Sequence, residues 1–186
     1  MSKVSCIVLA AGAGRRMGHD ENKIFIKLGN KSIIQWTLSN IEQVKAVSEV
    51  ILVVANGEAE YMKQHITSLG LSKSIKIITG GKERQDSVYA GLQAVSDDMD
   101  IVLVHDGARP LAKPELFERV IEGAKTHGAV TIGVPSTDTI KRVDIDGQVL
   151  ETLNRNELMN IQTPQGFLKN IFKEAQETAK RDAYFG

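Results

Sequence analysis

The stretch VSCIVLAAGAGRRMG, Val4 to Gly18, sets an almost unbroken apolar run directly against a loop with three glycines and two adjacent arginines. A short apolar run of this kind fits a β-strand covered on both faces, the arrangement of a parallel sheet. The loop asks for more than a turn, because a turn needs one or two glycines and no paired guanidinium groups.

The same grammar recurs outward from this stretch. Glu49 to Ala55 (EVILVVA), Ser74 to Thr79 (SIKIIT), Asp100 to His105 (DIVLVH) and Ala129 to Pro135 (AVTIGVP) each read as a strand. Between them, Ser32 to Val44, Glu58 to Leu69, Gln85 to Val95 and Pro114 to His127 carry apolar residues at helical spacing. Alternation of strand and helix predicts a three-layer α/β domain with a Rossmann-like, mainly parallel sheet. In such sheets ligands sit beyond the carboxyl ends of the strands, so the residues that follow each strand carry the functional information. One segment departs from the pattern. Asp138 to Asn156 (DTIKRVDIDGQVLETLNRN) alternates apolar and polar residues around Asp146-Gly147, which predicts a hairpin with a tight turn. We expect one domain over residues 1–186, with 138–156 inserted as a projecting β-arm.

Bulk properties narrow the function. The 186 residues include 23 basic and 23 acidic side chains, so no overall field draws in nucleic acid or an anionic membrane. Any anion must be met by local charge. The single cysteine, Cys6, lies within the first apolar run and excludes an internal disulfide or a cysteine metal cluster. Met1 to Lys3 leads into too short an apolar run for a secretory leader, and nothing approaches a membrane span, so a cytoplasmic location is expected.

Gly12, Gly14 and Gly18 are spaced G-x-G-x-x-x-G, which matches neither the dinucleotide fingerprint nor the phosphate loop of ATPases. Two readings remain: a tight strand-to-helix turn, or a turn whose exposed amides cradle phosphate oxygens. Arg16 and Lys23 favour the second, since both can reach over one glycine loop. Preplaced cations suit a polyphosphate under attack at phosphorus, where charge gathers on the equatorial oxygens. One such contact is worth about 3 kcal/mol, roughly a hundredfold in rate.

Two more segments follow strands or lie near them. In GGKERQDS, Gly80 and Gly81 either let a base or ribose approach the backbone or form a turn, with Asp86 or Ser87 capping the next helix. In HDGARP, Asp106 ends a buried strand and is placed to hold Mg²⁺ through a triphosphate or to bind sugar hydroxyls, with Arg109 binding phosphate or bracing the loop. His105 reads as a packed residue rather than a base.

Taken in order, LAAGAGRRMG…NK, GGKERQDSVYAGL, VLVHDGARP, DTIKR and IQTPQGF resemble the sugar-phosphate nucleotidyltransferases. Within them the chain is similar to the 2-C-methyl-D-erythritol 4-phosphate cytidylyltransferase family of the non-mevalonate isoprenoid pathway. The resemblance implies CTP and a small sugar-alcohol phosphate as substrates, Mg²⁺ as cofactor, and a homodimer formed through the arm. It implies nucleotide contacts from Ala10, Ala11, Gly12, Ala13, Gly14, Gly80, Gly81, Ser87 and Asp106, with Arg16 and Lys23 stabilising the transition state. It implies acceptor contacts from Asp106, Arg109, Thr139, Arg155 and Thr163, the arm residues serving the neighbouring subunit. The family often has an acidic residue where this chain has Lys82. The family's pattern also runs several dozen residues further, with an Asn-Ile-Lys strand, so the 186 residues are expected to be a shortened form lacking part of the family domain. The rival readings are ribitol 5-phosphate cytidylyltransferase, a nucleotide-binding fragment without catalysis and, more remotely, an NAD-dependent oxidoreductase.

Overall fold

The computed structural model describes residues 2–12 and 22–184. In chain order the strands and helices are β1 (Val4–Leu9), β2 (Lys27–Leu28), β3 (Lys31–Ser32), α1 (Ile33–Glu42), β4 (Val47–Val54), α2 (Ala59–Thr67), β5 (Ser74–Thr79), α3 (Arg84–Ala94), β6 (Ile101–Asp106), α4 (Pro114–His127), β7 (Ala129–Pro135), β8 (Lys141–Val143), β9 (Val149–Thr152), β10 (Met159–Leu168) and α5 (Lys169–Arg181). The five strands expected from the sequence are present, and a six-stranded sheet forms in the order β5-β4-β1-β6-β10-β7.

Alternate residues of the central strands enter opposite layers, which is why these strands are apolar throughout. Cys6 and Val8 of β1, Leu52 and Val54 of β4, and Leu103 of β6 pack with Ile34 and Leu38 of α1, Met62 of α2 and Phe117 of α4. Ile7, Ile51, Val53, Val102 and Val104 from the same strands meet Val88 and Leu92 of α3 and Phe172 of α5 on the other face. The sheet is thus sandwiched, and its carboxyl edge is left to loops. No helix among the described residues is long and apolar enough to cross a membrane.

The sixth strand is the feature the sequence did not announce. β10 runs antiparallel between β6 and β7. Its sequence MNIQTPQGFL breaks apolar alternation, and the pairing with β7 shifts between Gln162 and Gln165. Pro164 falls in that break, where its missing N–H costs no ladder hydrogen bond. The interruption puts Gln162 and Thr163 beside the end of β6, a consequence for the site described below.

The arm forms as a separate two-stranded ribbon, β8 against β9. The tight turn expected around Asp146-Gly147 is present. The Gly147 amide donates to the Asp144 carbonyl at 3.1 Å, the Asp144 amide to the Gln148 carbonyl at 3.0 Å, and Gly147 sits at φ 82°. Only the glycine is left-handed, so this is a three-residue loop closed by a bulge. The Asp144 carboxylate stabilises it by accepting the Asp146 and Gln148 amides at 3.0 and 2.8 Å.

Candidate active site

Three loops, after β1, β5 and β6, leave the carboxyl edge of the sheet and are held there by main-chain hydrogen bonds. The Ala10 amide donates to the Val53 carbonyl at 2.7 Å, Gly80 to Val54 at 2.8 Å and Gly107 to Leu9 at 2.8 Å. These bonds extend the sheet pairing one residue past the strands, so the loops start from a rigid base.

Gly80 and Gly81 have steric reasons to lack side chains. A Cβ on Gly80 would lie 2.6 Å from Ser87 Oγ, 3.0 Å from the Ala11 Cβ and 3.1 Å from Val53 Cγ1. A Cβ on Gly81 would lie 2.2 Å from the Asp86 Cβ. The loop after β5, the first turn of α3 and the Ala11 loop are therefore in direct contact. Ser87 is buried, and its hydroxyl accepts the Gly81 amide at 3.1 Å. Asp86 accepts the Glu83 amide at 3.0 Å, which is the helix-capping role foreseen for Asp86 or Ser87.

Asp106 lies at the centre of a charged cluster. Arg84 Nη2 donates to its Oδ1 at 3.2 Å and Arg109 Nε to its Oδ2 at 3.0 Å. Arg109 also donates to Gln162 Oε1. The Asp106 amide donates to Thr163 Oγ1 at 3.1 Å, and that hydroxyl is 3.1 Å from Nδ1 of the buried His105. Burial pushes the Asp106 carboxyl upward, but the Arg109 hydrogen bond and the Arg84 charge outweigh it and hold it below the ordinary value. Asp106 is thus an anion at neutral pH with lone pairs to spare beside two guanidinium groups. The 107–110 loop is braced from α1, where Thr37 Oγ1 donates to the Gly107 carbonyl and Asn40 Nδ2 to the Pro110 carbonyl, both at 2.9 Å.

Lys23 opens a short 3-10 turn, Lys23–Phe25, that begins one residue after a buried Asn22. Asn22 Nδ2 donates to the Ala10 carbonyl at 2.9 Å, which ties this turn to the tip of β1. Ala13, Gly14 and Arg16 lie outside the described residues, as does Gly18.

His105 is a core residue, as expected from its place in a buried strand. It packs edge-on against Phe117 at 4.8 Å, and burial drives its pKa down to about 4. Thr139 and Arg155 are exposed on the arm segment, Arg155 in a second 3-10 turn, and neither joins the Asp106 cluster by a hydrogen bond or ion pair among the described residues. The other arm cations are paired across the ribbon, Lys141 with Thr152 at 2.6 Å and Arg142 with Glu151 at 2.9 Å. Among the described residues no group of three or more His, Cys, Asp or Glu comes together as a metal cage.

Three residues of this region were not singled out by sequence reasoning: Arg84, Gln162 and Asn22. Arg84 had a signal, since a partly buried Asp106 needs a cationic partner and Arg84 follows β5, whose loop opens at the same carboxyl edge. Gln162 and Asn22 had none, because a neutral amide reveals its role only through placement.

A family model described as 2-C-methyl-D-erythritol 4-phosphate cytidylyltransferase (IspD) matches residues 4–185. The chain is 47% identical over 181 residues to the protein of that name from Alkaliphilus metalliredigens, covering 95% of this chain and 75% of the relative. It is 43% identical over 185 residues to the one from Pelotomaculum thermopropionicum, covering 99% and 78%. Among solved structures it is similar to 4-diphosphocytidyl-2C-methyl-D-erythritol synthase from Anaerococcus prevotii, with a TM-score of 0.84 at 33% identity over 97% of this chain and 76% of that one. The Thermus thermophilus cytidylyltransferase gives a TM-score of 0.75 at 28% identity, covering 99% and 79%. The chain spans 75% to 78% of the length of the two curated relatives. A family match that runs through the glycine loop, the Gly80–Ser87 loop, the Asp106 cluster and the arm leaves one conclusion: this chain belongs to the 2-C-methyl-D-erythritol 4-phosphate cytidylyltransferase family of nucleotidyltransferase enzymes.

Proposed function

We propose that the chain transfers the cytidylyl group of CTP to 2-C-methyl-D-erythritol 4-phosphate. An oxygen of the acceptor's phosphate monoester attacks the α-phosphorus of CTP. The new P–O–P bridge forms as the bond to the β-phosphate breaks, and pyrophosphate leaves, giving 4-CDP-2-C-methyl-D-erythritol. The acceptor's phosphate dianion is its own nucleophile, so a general base is unnecessary, consistent with a neutral, packed His105.

The observation that carries this reading is the meeting of Ala11, Gly80 and Ser87 at the carboxyl edge of the sheet, with Asp106 paired to Arg84 of the Ser87 helix and the Lys23 turn tied to the tip of β1 by Asn22. Ser87 receives the Gly81 amide on its oxygen, leaving the hydroxyl proton for an acceptor on the cytosine edge. Main-chain carbonyls of the Gly80–Gly81 turn suit the cytosine amino group, which needs an acceptor where uracil would present one. Gly12 to Gly14 cradles the triphosphate. Arg16 and Lys23 stabilise charge on the phosphorus under attack. Asp106 takes ribose or acceptor hydroxyls, with Arg109 and Thr163 on the acceptor side. Thr139 and Arg155 of the arm grip the acceptor phosphate in the neighbouring subunit of a homodimer.

A Mg²⁺ ion carried by the triphosphate needs one carboxylate from the protein, and Asp106 fits, with two of about four lone-pair positions engaged. Such an ion supplies charge neutralisation across the phosphates. The test is pyrophosphate release from CTP and Mg²⁺ with each of two acceptors. Release with 2-C-methyl-D-erythritol 4-phosphate supports the reading. Release with ribitol 5-phosphate alone, or with neither, refutes it.

A further inference from the structure

We infer that Asn22, oriented by Glu58, is the positioning residue of Lys23. The inference rests on the role given to Lys23 above. Asn22 is 7% exposed and uses both ends of its amide. Nδ2 donates to the Ala10 carbonyl at 2.9 Å and to Glu58 Oε2 at 3.2 Å, while Oδ1 accepts the Ile24 amide at 3.4 Å. A reversed amide would set its oxygen against two oxygens, so the chemistry of the neighbours fixes one orientation.

These bonds bracket Lys23 from both sides. The residue before it is fastened to the tip of β1, in the stretch assigned to nucleotide binding. The residue after it, Ile24, is 2% exposed in the core. Phe25 then packs edge-on against Tyr61 at 4.8 Å and His65 at 5.1 Å, and both of these lie on α2, the helix that Glu58 immediately precedes. Helix α2 thus backs the whole turn. A lysine side chain is a flexible four-carbon stem, so its ammonium can be preplaced on a phosphate only if its main chain is fixed relative to the phosphate loop. Among the described residues, Asn22 links the Lys23 turn by its side chain to Ala10, where the phosphate loop begins.

The test is a double-mutant cycle in steady-state turnover on the full chain. Asn22→Asp removes both donors and sets a carboxylate against the Ala10 carbonyl and Glu58. It should lower kcat by about ten- to a hundredfold, the scale of a misplaced catalytic group, with the KM for CTP little changed. In a Lys23→Ala background the same change should add less than about twofold, because the group it positions is gone. Glu58→Leu should give a smaller loss of the same kind, and Glu58→Gln, which keeps an acceptor, should recover most of it. Should Asn22→Asp fail to fold, the Glu58→Leu and Lys23→Ala cycle decides in the same way. Effects that multiply fully with Lys23→Ala, or an Asn22→Asp enzyme with wild-type kcat, overturn the inference and leave the role of Lys23 standing. A Lys23→Ala enzyme with wild-type kcat is the separate result that overturns the role of Lys23 itself.

Discussion

Replacing Gly80 with alanine tests whether the packing of the loop proposed to read the base and nucleotide binding are the same piece of geometry. The new Cβ would lie 2.6 Å from Ser87 Oγ, so that oxygen must retreat by about 0.8 Å to reach the 3.4 Å of ordinary contact. The Ala11 Cβ at 3.0 Å and Val53 Cγ1 at 3.1 Å must also yield. Overpacking of this kind costs about 1–3 kcal/mol, and the stiffer unfolded chain returns about 0.4–1 kcal/mol, so the net loss should be about 1–2 kcal/mol. For a domain of this size that lowers Tm by about 5 °C. A displaced Ser87 hydroxyl should lose the hydrogen bond to the base proposed for it, about 1 kcal/mol, and weaken CTP about fivefold. Calorimetric titration with CTP and urea unfolding measure the two effects. Adding Ser87→Ala removes the atom in conflict, so the double variant should regain more than half the stability yet none of the CTP affinity. A Gly80→Ala protein with wild-type stability and affinity refutes the reasoning. So does a double variant that is no more stable than Gly80→Ala.

Other outcomes follow from the same geometry. Asp106→Asn removes the negative charge between Arg84 and Arg109 and should lower turnover by about a hundredfold or more, measured as pyrophosphate release, with the fold kept by circular dichroism. His105 has its pKa lowered to about 4 when folded, so below its ordinary value near 6.5 the unfolded chain binds the proton first and stability falls as pH drops. Between pH 7 and pH 5 the wild-type chain should therefore lose about 2 kcal/mol more than a His105→Asn variant in urea unfolding. At the opposite edge of the sheet, Glu49 is buried and accepts from Lys76 Nζ at 2.8 Å, Ser96 Oγ at 2.5 Å and the Ser96 amide at 3.2 Å. Burial raises its pKa, but those partners outweigh it and hold it below the ordinary value, so its contribution is complete above about pH 4.5 and lost as pH falls through the folded value. Lys76→Ala leaves that carboxylate buried and short of a cation, and should cost about 2–4 kcal/mol at pH 7 without changing kcat.

Much of the fold could be read from the sequence because its central strands are wet on neither face. Cys6 and Ile7, or Leu52 and Val53, are neighbours in sequence that point into different apolar layers, and only a sandwiched sheet needs both. β10 escaped this logic. Its Gln162 and Gln165 flank a register break and its Pro164 sits inside it, so neither alternation nor propensity marks the strand. The arm was legible as a hairpin with a tight turn, while the two amides that Asp144 accepts within it show only in the structure. In the site, position after a strand pointed to Asp106, and the Gly80–Gly81 pair marked a close approach. What makes that approach close is the chain's own Ser87 and Asp86, which sequence marked as helix caps but not as the groups packed against the two glycines. Arg84 could have been sought as the cation that Asp106 needs, whereas Gln162 and Asn22 are ordinary surface types in sequence, and only tertiary placement gives them partners on Arg109 and Ala10.

The central claim is that cations preplaced over the glycine loop act on the transition state rather than on bound CTP, and Lys23 is the member of the pair with a described anchor. Turnover of Lys23→Ala with saturating acceptor, followed by pyrophosphate release across CTP concentrations, separates the two possibilities. A fall in kcat of about a hundredfold, with the KM for CTP changed by less than about threefold, is the predicted result. Wild-type kcat with a raised KM would contradict it.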